Sequence, residues 1–472
     1  MFNRFKRSAS FLPTIRQDPL AKVNDLHKNE TIFTRKTSMT MDFRTSRRNN
    51  NVFVVCKSSE DVRESFVKPN LLQGNTSYVI RDTTGALLKT MRAPLEKMGY
   101  EVRVLDLTLD GMKQSNHYNP FRYLHCDEDV LYLVEVLFGA DYTCLFDRSE
   151  LALFQALCFY LRSECGEKDR TLSGITKIFS HAKNESGQFD LPSALQVLDD
   201  LFGQLAEKDP DSLAVLSYQV FRENYPGTTG TGLIHSIMVR LLALKVPDVN
   251  TLTATDDIDL HSIGEKPVAL FCIPNSDIPE LNMLETLLYV QLFNTLYHQV
   301  QDVYGASTRY SLPHPVRFFL DEFESIGYFK DYPHKLATMR KYNISSVTIV
   351  RSISKLKTMY PDSYEVIIGN CDTHLFYGLD NITEGSAELR FVQYYSMRNS
   401  SYVRDIRDIH DRRRLNRFSK NCYHGTYQLT LEMLLTKGND DCIVFIHGAS
   451  AVWDKTYTLN EHPNYISLGG TM

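Results

Sequence analysis

The sequence predicts an α/β fold: a parallel β-sheet flanked by helices and interrupted by an all-helical insertion. Two regions of alternating strand and helix patterns, separated by a purely helical stretch, carry that prediction. The first alternating region, about 50–115, opens on the apolar strand NVFVV and passes through the helical segment VKPNLLQ. It continues with the strand TSYVIRD, a helix through LLKTMRAPLEKMGY and the strand EVRVLDL. Short β-rich runs alternating with helical periods are the mark of a parallel sheet. From about 120 to 245 the period lengthens, as in DRSELALFQALCFYLRSE and LPSALQVLDDLFGQLAEK, with few β-branched runs, which predicts an all-α insertion. After residue 265 the strand pattern resumes with KPVALFCIPN, VRFFLDEF, ISSVTIVRS and CDTHLFYGL, and DCIVFIHG is expected to be the last strand.

A chain of 472 residues is long enough for two or three domains. Its 43% apolar and 23% charged residues are ordinary for a globular protein and exclude wholesale disorder. The formal net charge of -5 excludes a general polycation, so any nucleic-acid contact must come from local patches. Two such patches exist. Residues 1–50 hold 11 Lys/Arg against 4 Asp/Glu, and seven Lys/Arg fall between Arg404 and Lys420, namely Arg404, Arg407, Arg412, Arg413, Arg414, Arg417 and Lys420. Each is either a phosphate-binding patch or a solvated face. Tyr394, Tyr395 and Tyr402 nearby offer faces for base stacking, or simply pack. The nine cysteines form no CxxC pair and lie in apolar contexts, which predicts buried free thiols in a reducing compartment. No run approaches the roughly 18 apolar residues that span a bilayer, so a cytoplasmic chain is expected.

Several stretches are candidates for chemistry. HPVRFFLDEFESIG (314–327) is a buried-strand pattern ending in Asp321 and Glu322, the form of a Walker B element. There the first carboxylate holds the Mg²⁺ shell and the second polarises an attacking water. An ordinary strand followed by an acidic helix start fits the same residues. VIRDTTGALL places Asp82 at a strand end before a Gly85 turn, and ATMRKYN carries Arg340, a surface charge or a finger reaching across a subunit boundary. PGTTGTG (226–232) has neither a preceding strand nor a following lysine and reads as a loop. The fourteen histidines show no HExxH or paired spacing, so no metal site is expected. The junction NNNVFVVCKSSEDVRESFVKPN (49–70) has the strand-turn-helix form of a phosphate loop but neither a glycine nor a Lys-Ser/Thr pair.

In order, NNNVFVV…FVKPNLL, SYVIRDTTGALL, MGYEVRVLDL, HYNPF, FDRSELALFQAL, ALFCIPNSD, FFLDEFESIG, ATMRKYNIS, IIGNCDTHLFYG and DCIVFIHG…HPNY resemble the conjugative coupling proteins of type IV secretion, the TraG/TraD family. The resemblance runs in register from about residue 30 to 466, with FVKPN, HYNPF, FLDEFESIG and GNCDT its most specific pieces. It implies a RecA-like P-loop NTPase-type domain over 49–118 and 246–472, an all-α inserted domain over 119–245, and a basic N-terminal arm over 1–48. It also implies a hexameric ATPase at the inner membrane that takes a relaxase bound to single-stranded DNA and hands it to the secretion channel. By position, Asp321 and Glu322 are then the Walker B acids, and Arg340 the arginine that follows them.

The departures concentrate on nucleotide contacts. Where the family carries a loop of the type GGSGSGKT, this chain reads Cys56, Lys57, Ser58, Ser59, Glu60, Asp61, Val62 and Arg63. The phosphate-gripping lysine is replaced by Val62, the Mg²⁺-binding hydroxyl by Arg63, and every glycine is gone. The family's DPKGE is Asp82-Thr83-Thr84-Gly85-Ala86, and a usual glutamine is Arg351. The family's N-terminal membrane helices are expected to be missing, leaving a chain peripheral to the inner face of the membrane through its partners. Three readings stay open. The chain is a nucleotide-binding-deficient coupling-protein homologue, docking a relaxase–DNA substrate or an active coupling subunit in a hexamer or mixed oligomer and using no cofactor. Alternatively it is an active translocating ATPase using ATP and Mg²⁺ through an atypical loop, or the product of a decayed mobile-element gene.

Overall fold

The strand VFVV is apolar on both faces, as a strand covered on both sides must be. Phe53 and Val55 point into one core, while Val52 and Val54 point into the other. It is β4 (Val52–Val55) of a ten-stranded sheet in a computed structural model. The structure describes residues 15–16, 29–138, 145–184, 186–226, 230–241, 246–304, 311–378, 386–398, 404–405, 434, 437–449 and 451–467. The other strands of this sheet are β5 (Ser77–Arg81), β6 (Glu101–Asp106), β7 (Val268–Ile273), β8 (Val316–Leu320), β9 (Ile344–Val350), β10 (Thr373–Phe376), β11 (Arg404–Asp405), β12 (Asp441–Ile446) and β13 (Val452–Lys455). Their order is β11-β13-β12-β10-β4-β9-β8-β5-β7-β6.

From β10 to β6 every neighbouring pair is parallel. Beyond β10 the sheet changes character: β12 runs antiparallel to β10, and β13 antiparallel to β12. DCIVFIHG is therefore not the last strand. The chain turns at Gly448, whose φ of 74° suits glycine, and returns as the short VWDK, too brief and too charged to stand out by pattern.

One face of the sheet carries the helix that follows β4 and helix α2 (Ala86–Lys97). That first helix, α1, starts at Ser59–Val62, widens into a π-helical turn over Arg63–Val67 and resumes over Lys68–Leu72. A small antiparallel sheet, β1 (Ile15–Arg16), β2 (Glu30–Ile32) and β3 (Ser38–Thr40), lies in the predicted N-terminal arm. Phe33 and Met39 of this arm are buried in the same core as β4.

The opposite face is covered by the residues between β6 and β7 and by the helix after β7. The described residues of the intervening stretch include α3 (Asp127–Phe138), α4 (Leu145–Glu164), α5 (Leu191–Lys208), α6 (Leu213–Asn224) and α7 (Thr231–Arg240), joined by shorter helices. Helix α8 (Met283–His298) is buried along almost its whole length, which explains why its sequence is apolar all round rather than on one stripe. Among the described residues no helix is long and apolar enough to cross a membrane.

Candidate functional site

The predicted nucleotide-site residues other than Arg340 follow the carboxyl ends of four adjacent strands, β4, β9, β8 and β5, the edge where open α/β sheets bind ligands. At the first junction only Cys56, Lys57 and Ser58 separate β4 from the helix start at Ser59. Of the positions set against the phosphate loop, Ser59 to Val62 form the first turn of α1. Ser58 is the N-cap residue but makes no side-chain cap hydrogen bond, and Glu60 and Asp61 lie exposed in the first turn. Carboxylates there complement the positive end of the helix, the feature that a phosphate loop offers to its anion. Val62, at the lysine position, is fully buried in the core with Val54 and Phe66.

Arg63 turns the other way. Its Nη1 donates to Thr83 Oγ1 at 3.2 Å and Thr84 Oγ1 at 3.1 Å, and stands 3.9 Å from Asp321 Oδ2. The guanidinium thus bridges the turn after β5 and the acid after β8. Asp321 is buried, and desolvation raises its pKa, partly offset by a Ser59 hydrogen bond and the Arg63 charge. Glu322 accepts from Ser59 Oγ at 3.4 Å and pairs with Arg351 Nη1 at 3.5 Å. The two acids do not lie on the strand itself. β8 ends at Leu320, and Glu322 adopts φ 47°, a left-handed backbone that non-glycine residues rarely take. Asp82 is buried and accepts from Leu88 N at 2.8 Å, so its carboxylate caps α2; burial raises its pKa as well.

A residue missed by sequence reasoning holds this edge together. Arg81, the last residue of β5, is buried and donates from Nε to Glu285 Oε1 at 2.8 Å. From Nη1 it donates to the Asp321 carbonyl at 2.8 Å, to Ser325 Oγ at 2.9 Å and to the Glu322 carbonyl at 3.3 Å. It therefore braces the turn that carries both acids. Its only sequence signal is a charge at the end of an apolar strand.

Arg340 is exposed in the turn before β9. Since β8 and β9 are parallel, it lies at the opposite edge of the sheet from Asp321, and the two do not meet within one chain. The backbone of Arg404 lies in the edge strand β11, paired with β13. Arg407, Arg412, Arg413, Arg414 and Arg417 lie outside the described residues, as does Tyr402. Tyr395 is packed against His374 and Phe391, while Tyr394 is exposed.

Three of the motifs that carried the resemblance, FVKPN, GNCDT and HYNPF, act as clamps within the fold. Asn70 of FVKPN accepts from Ile32 N and donates to the carbonyls of Ile32 and Phe66. Asn49 and Asn51 bind the GNCDT turn: Asn49 N donates to Asp372 Oδ2 at 2.7 Å, and Asn51 Nδ2 donates to the Asn370 carbonyl at 3.1 Å. In HYNPF, Asn119 caps the following turn and Tyr118 donates to Gln291.

A family model described as type IV secretory system conjugative DNA transfer matches residues 21–387. This chain belongs to that family. No curated protein matches the sequence. Among solved structures, the unbound monoclinic form of the bacterial conjugative coupling protein TrwBdeltaN70 covers 92% of this chain and 89% of its own, at 14% identity and a TM-score of 0.61. The plasmid coupling protein TrwB in complex with the non-hydrolysable ATP analogue ADPNP covers 92% and 90%, at 14% identity and a TM-score of 0.61. Its complex with ADP and Mg²⁺ covers 86% and 85%, at 13% identity and a TM-score of 0.57. At such identities the likeness shows the fold, that of a RecA-like P-loop NTPase. The family expectation, drawn from motif order, is thereby met in this coupling-protein family member.

Proposed function

We propose that this chain is a conjugative DNA-transfer coupling-protein homologue that works without binding a magnesium nucleotide, as a docking or accessory subunit. It would hold a relaxase–DNA substrate or an active coupling ATPase, in a hexamer or a mixed oligomer. The observation that carries the reading is the pair Val62 and Arg63: the position of the phosphate lysine faces the core, while its neighbour's guanidinium reaches the buried Asp321. A Walker B carboxylate needs a counter-charge in its buried setting, and a Mg²⁺ ion normally provides it. Here a fixed cation of the chain takes that role, and Arg351 does the same for Glu322 at a more exposed pair. The residues present do not fit a magnesium nucleotide. No lysine lies at the helix start, no glycine lets backbone amides wrap a phosphate, and two carboxylates occupy the first turn.

Calorimetric titration of the full chain with ATP·Mg²⁺ and ADP·Mg²⁺ tests the nucleotide half of this reading. No binding tighter than about 1 mM is expected, a free energy of only about −4 kcal/mol. Micromolar binding with hydrolysis, both lost in Asp321→Asn, overturns it. The docking half predicts co-purification with an active coupling ATPase or with a relaxase bound to single-stranded DNA, and its absence in both cases removes that role.

A further inference from the structure

Away from the nucleotide edge, at the foot of α3, the fold assembles a second group of chemistry-bearing side chains. We infer that Cys126, Asp129 and His298 form a binding site for a divalent transition cation of the zinc type. One ligand atom from each residue, the thiol sulfur, a carboxylate oxygen and an imidazole nitrogen, lies within 4.8 Å of the other two. Cys126 and Asp129 sit at the start of α3, and His298 is the last residue of α8, so residues far apart in the sequence meet only in the folded chain.

The carboxylate is held in place before any ion arrives. Asp129 is 4% exposed, and its Oδ2 accepts from His125 N at 2.9 Å and Cys126 N at 3.1 Å. That arrangement caps α3 and fixes the orientation of the side chain, as a supporting hydrogen bond does for a ligating carboxylate. Two further imidazoles stand close by. The rings of His125 and His261 are 5.4 Å apart, and His125 feels the charges of Asp129, His261 and His298. One of these imidazoles or a water would complete a four-coordinate site. A thiolate with imidazole and a single carboxylate selects zinc or cobalt over magnesium or calcium, which prefer all-oxygen sites. Ligation would hold the ion at bonds of about 2.0–2.3 Å. Because α3 belongs to the helical stretch between β6 and β7 and α8 follows β7, the ion would staple that stretch to the helix lying against the sheet. This inference does not depend on whether the nucleotide edge binds ATP.

The test uses the full chain, purified without a metal-affinity step and stripped with a chelator. Titration with Zn²⁺, followed by elemental analysis after desalting, is expected to leave about one ion per chain. Titration with Co²⁺ is expected to give visible d–d bands together with a near-ultraviolet thiolate-to-metal band. Cys126→Ser should abolish the thiolate band, and Cys165→Ser, at a half-buried thiol elsewhere, should leave it intact. A stripped wild-type chain, folded by circular dichroism, that retains no zinc and shows no thiolate band overturns the inference, since Asp129 then acts as a helix cap alone. Retention of the thiolate band in Cys126→Ser also overturns it, by placing the ion elsewhere.

Discussion

Arg81 is a charged side chain at the end of an apolar strand, and its burial makes sense only through Glu285 and the carbonyls of Asp321 and Glu322. Removing one partner of a buried ion pair leaves the other uncompensated, which costs about 3–5 kcal/mol. Arg81→Met is therefore expected to lower stability by that order in chemical denaturation, and Arg81→Met with Glu285→Leu should recover part of the loss. A loss below about 1 kcal/mol in the single variant would mean that the pair does not brace the turn. His462 makes a second residue-scale prediction. It is 1% exposed, its Nδ1 accepts from Asn464 N at 3.1 Å, and burial pushes its pKa down to about 4. The ring is neutral when folded. Since the folded pKa lies below the unfolded value of about 6.5, its contribution is full above that pH and is lost as pH falls toward 4. The size is on the order of 3 kcal/mol. The Tm should fall over that window, and His462→Gln should flatten the fall; an unchanged slope in the variant would assign the effect to other groups.

At the scale of elements, the informative unit is β4 with α1. Its strand and helix were legible in the sequence because an apolar run and a following helical period are local patterns. The missing glycines and lysine were equally legible, being identities rather than geometry. What the residues did not reveal is that Ser59, Glu60, Asp61 and Val62 already form a helical turn, with only Cys56, Lys57 and Ser58 before it. Restoring two side chains should then fail. Val62→Lys with Arg63→Thr is expected to leave ATP·Mg²⁺ binding weaker than about 1 mM by calorimetry. It should also lower the Tm, because an ammonium placed at a fully buried position pays a desolvation cost of several kcal/mol. Micromolar affinity in this double variant would show that identity alone had been lost. The clamps at Asn49, Asn51 and Asn70 belong to the same scale. They give NNN, FVKPN and GNCDT a role in the fold itself: each pairs backbone groups of segments far apart in the sequence.

For the whole molecule, the net charge of -5 makes any contact with nucleic acid a local matter, and the run from Arg404 to Lys420 is the candidate. If it meets single-stranded DNA, affinity should fall steeply with salt, and replacing Arg412, Arg413 and Arg414 by Gln should flatten the log–log slope by about 2. Undetectable binding at about 50 mM salt removes the DNA role from this run. The sequence by itself determined the α/β class, the helical stretch between β6 and β7, the family and the loss of the phosphate-loop residues. All of these are written in local periodicity, in residue identity or in the order of motifs. Only the tertiary structure decided that Arg63 stands against Asp321, that Arg81 braces both acids, that Arg340 lies at the far edge of the sheet, and that Cys126 and Asp129 meet His298. Those facts join residues far apart along the chain, and their separation in space is set by strand order and helix packing, which no local pattern encodes.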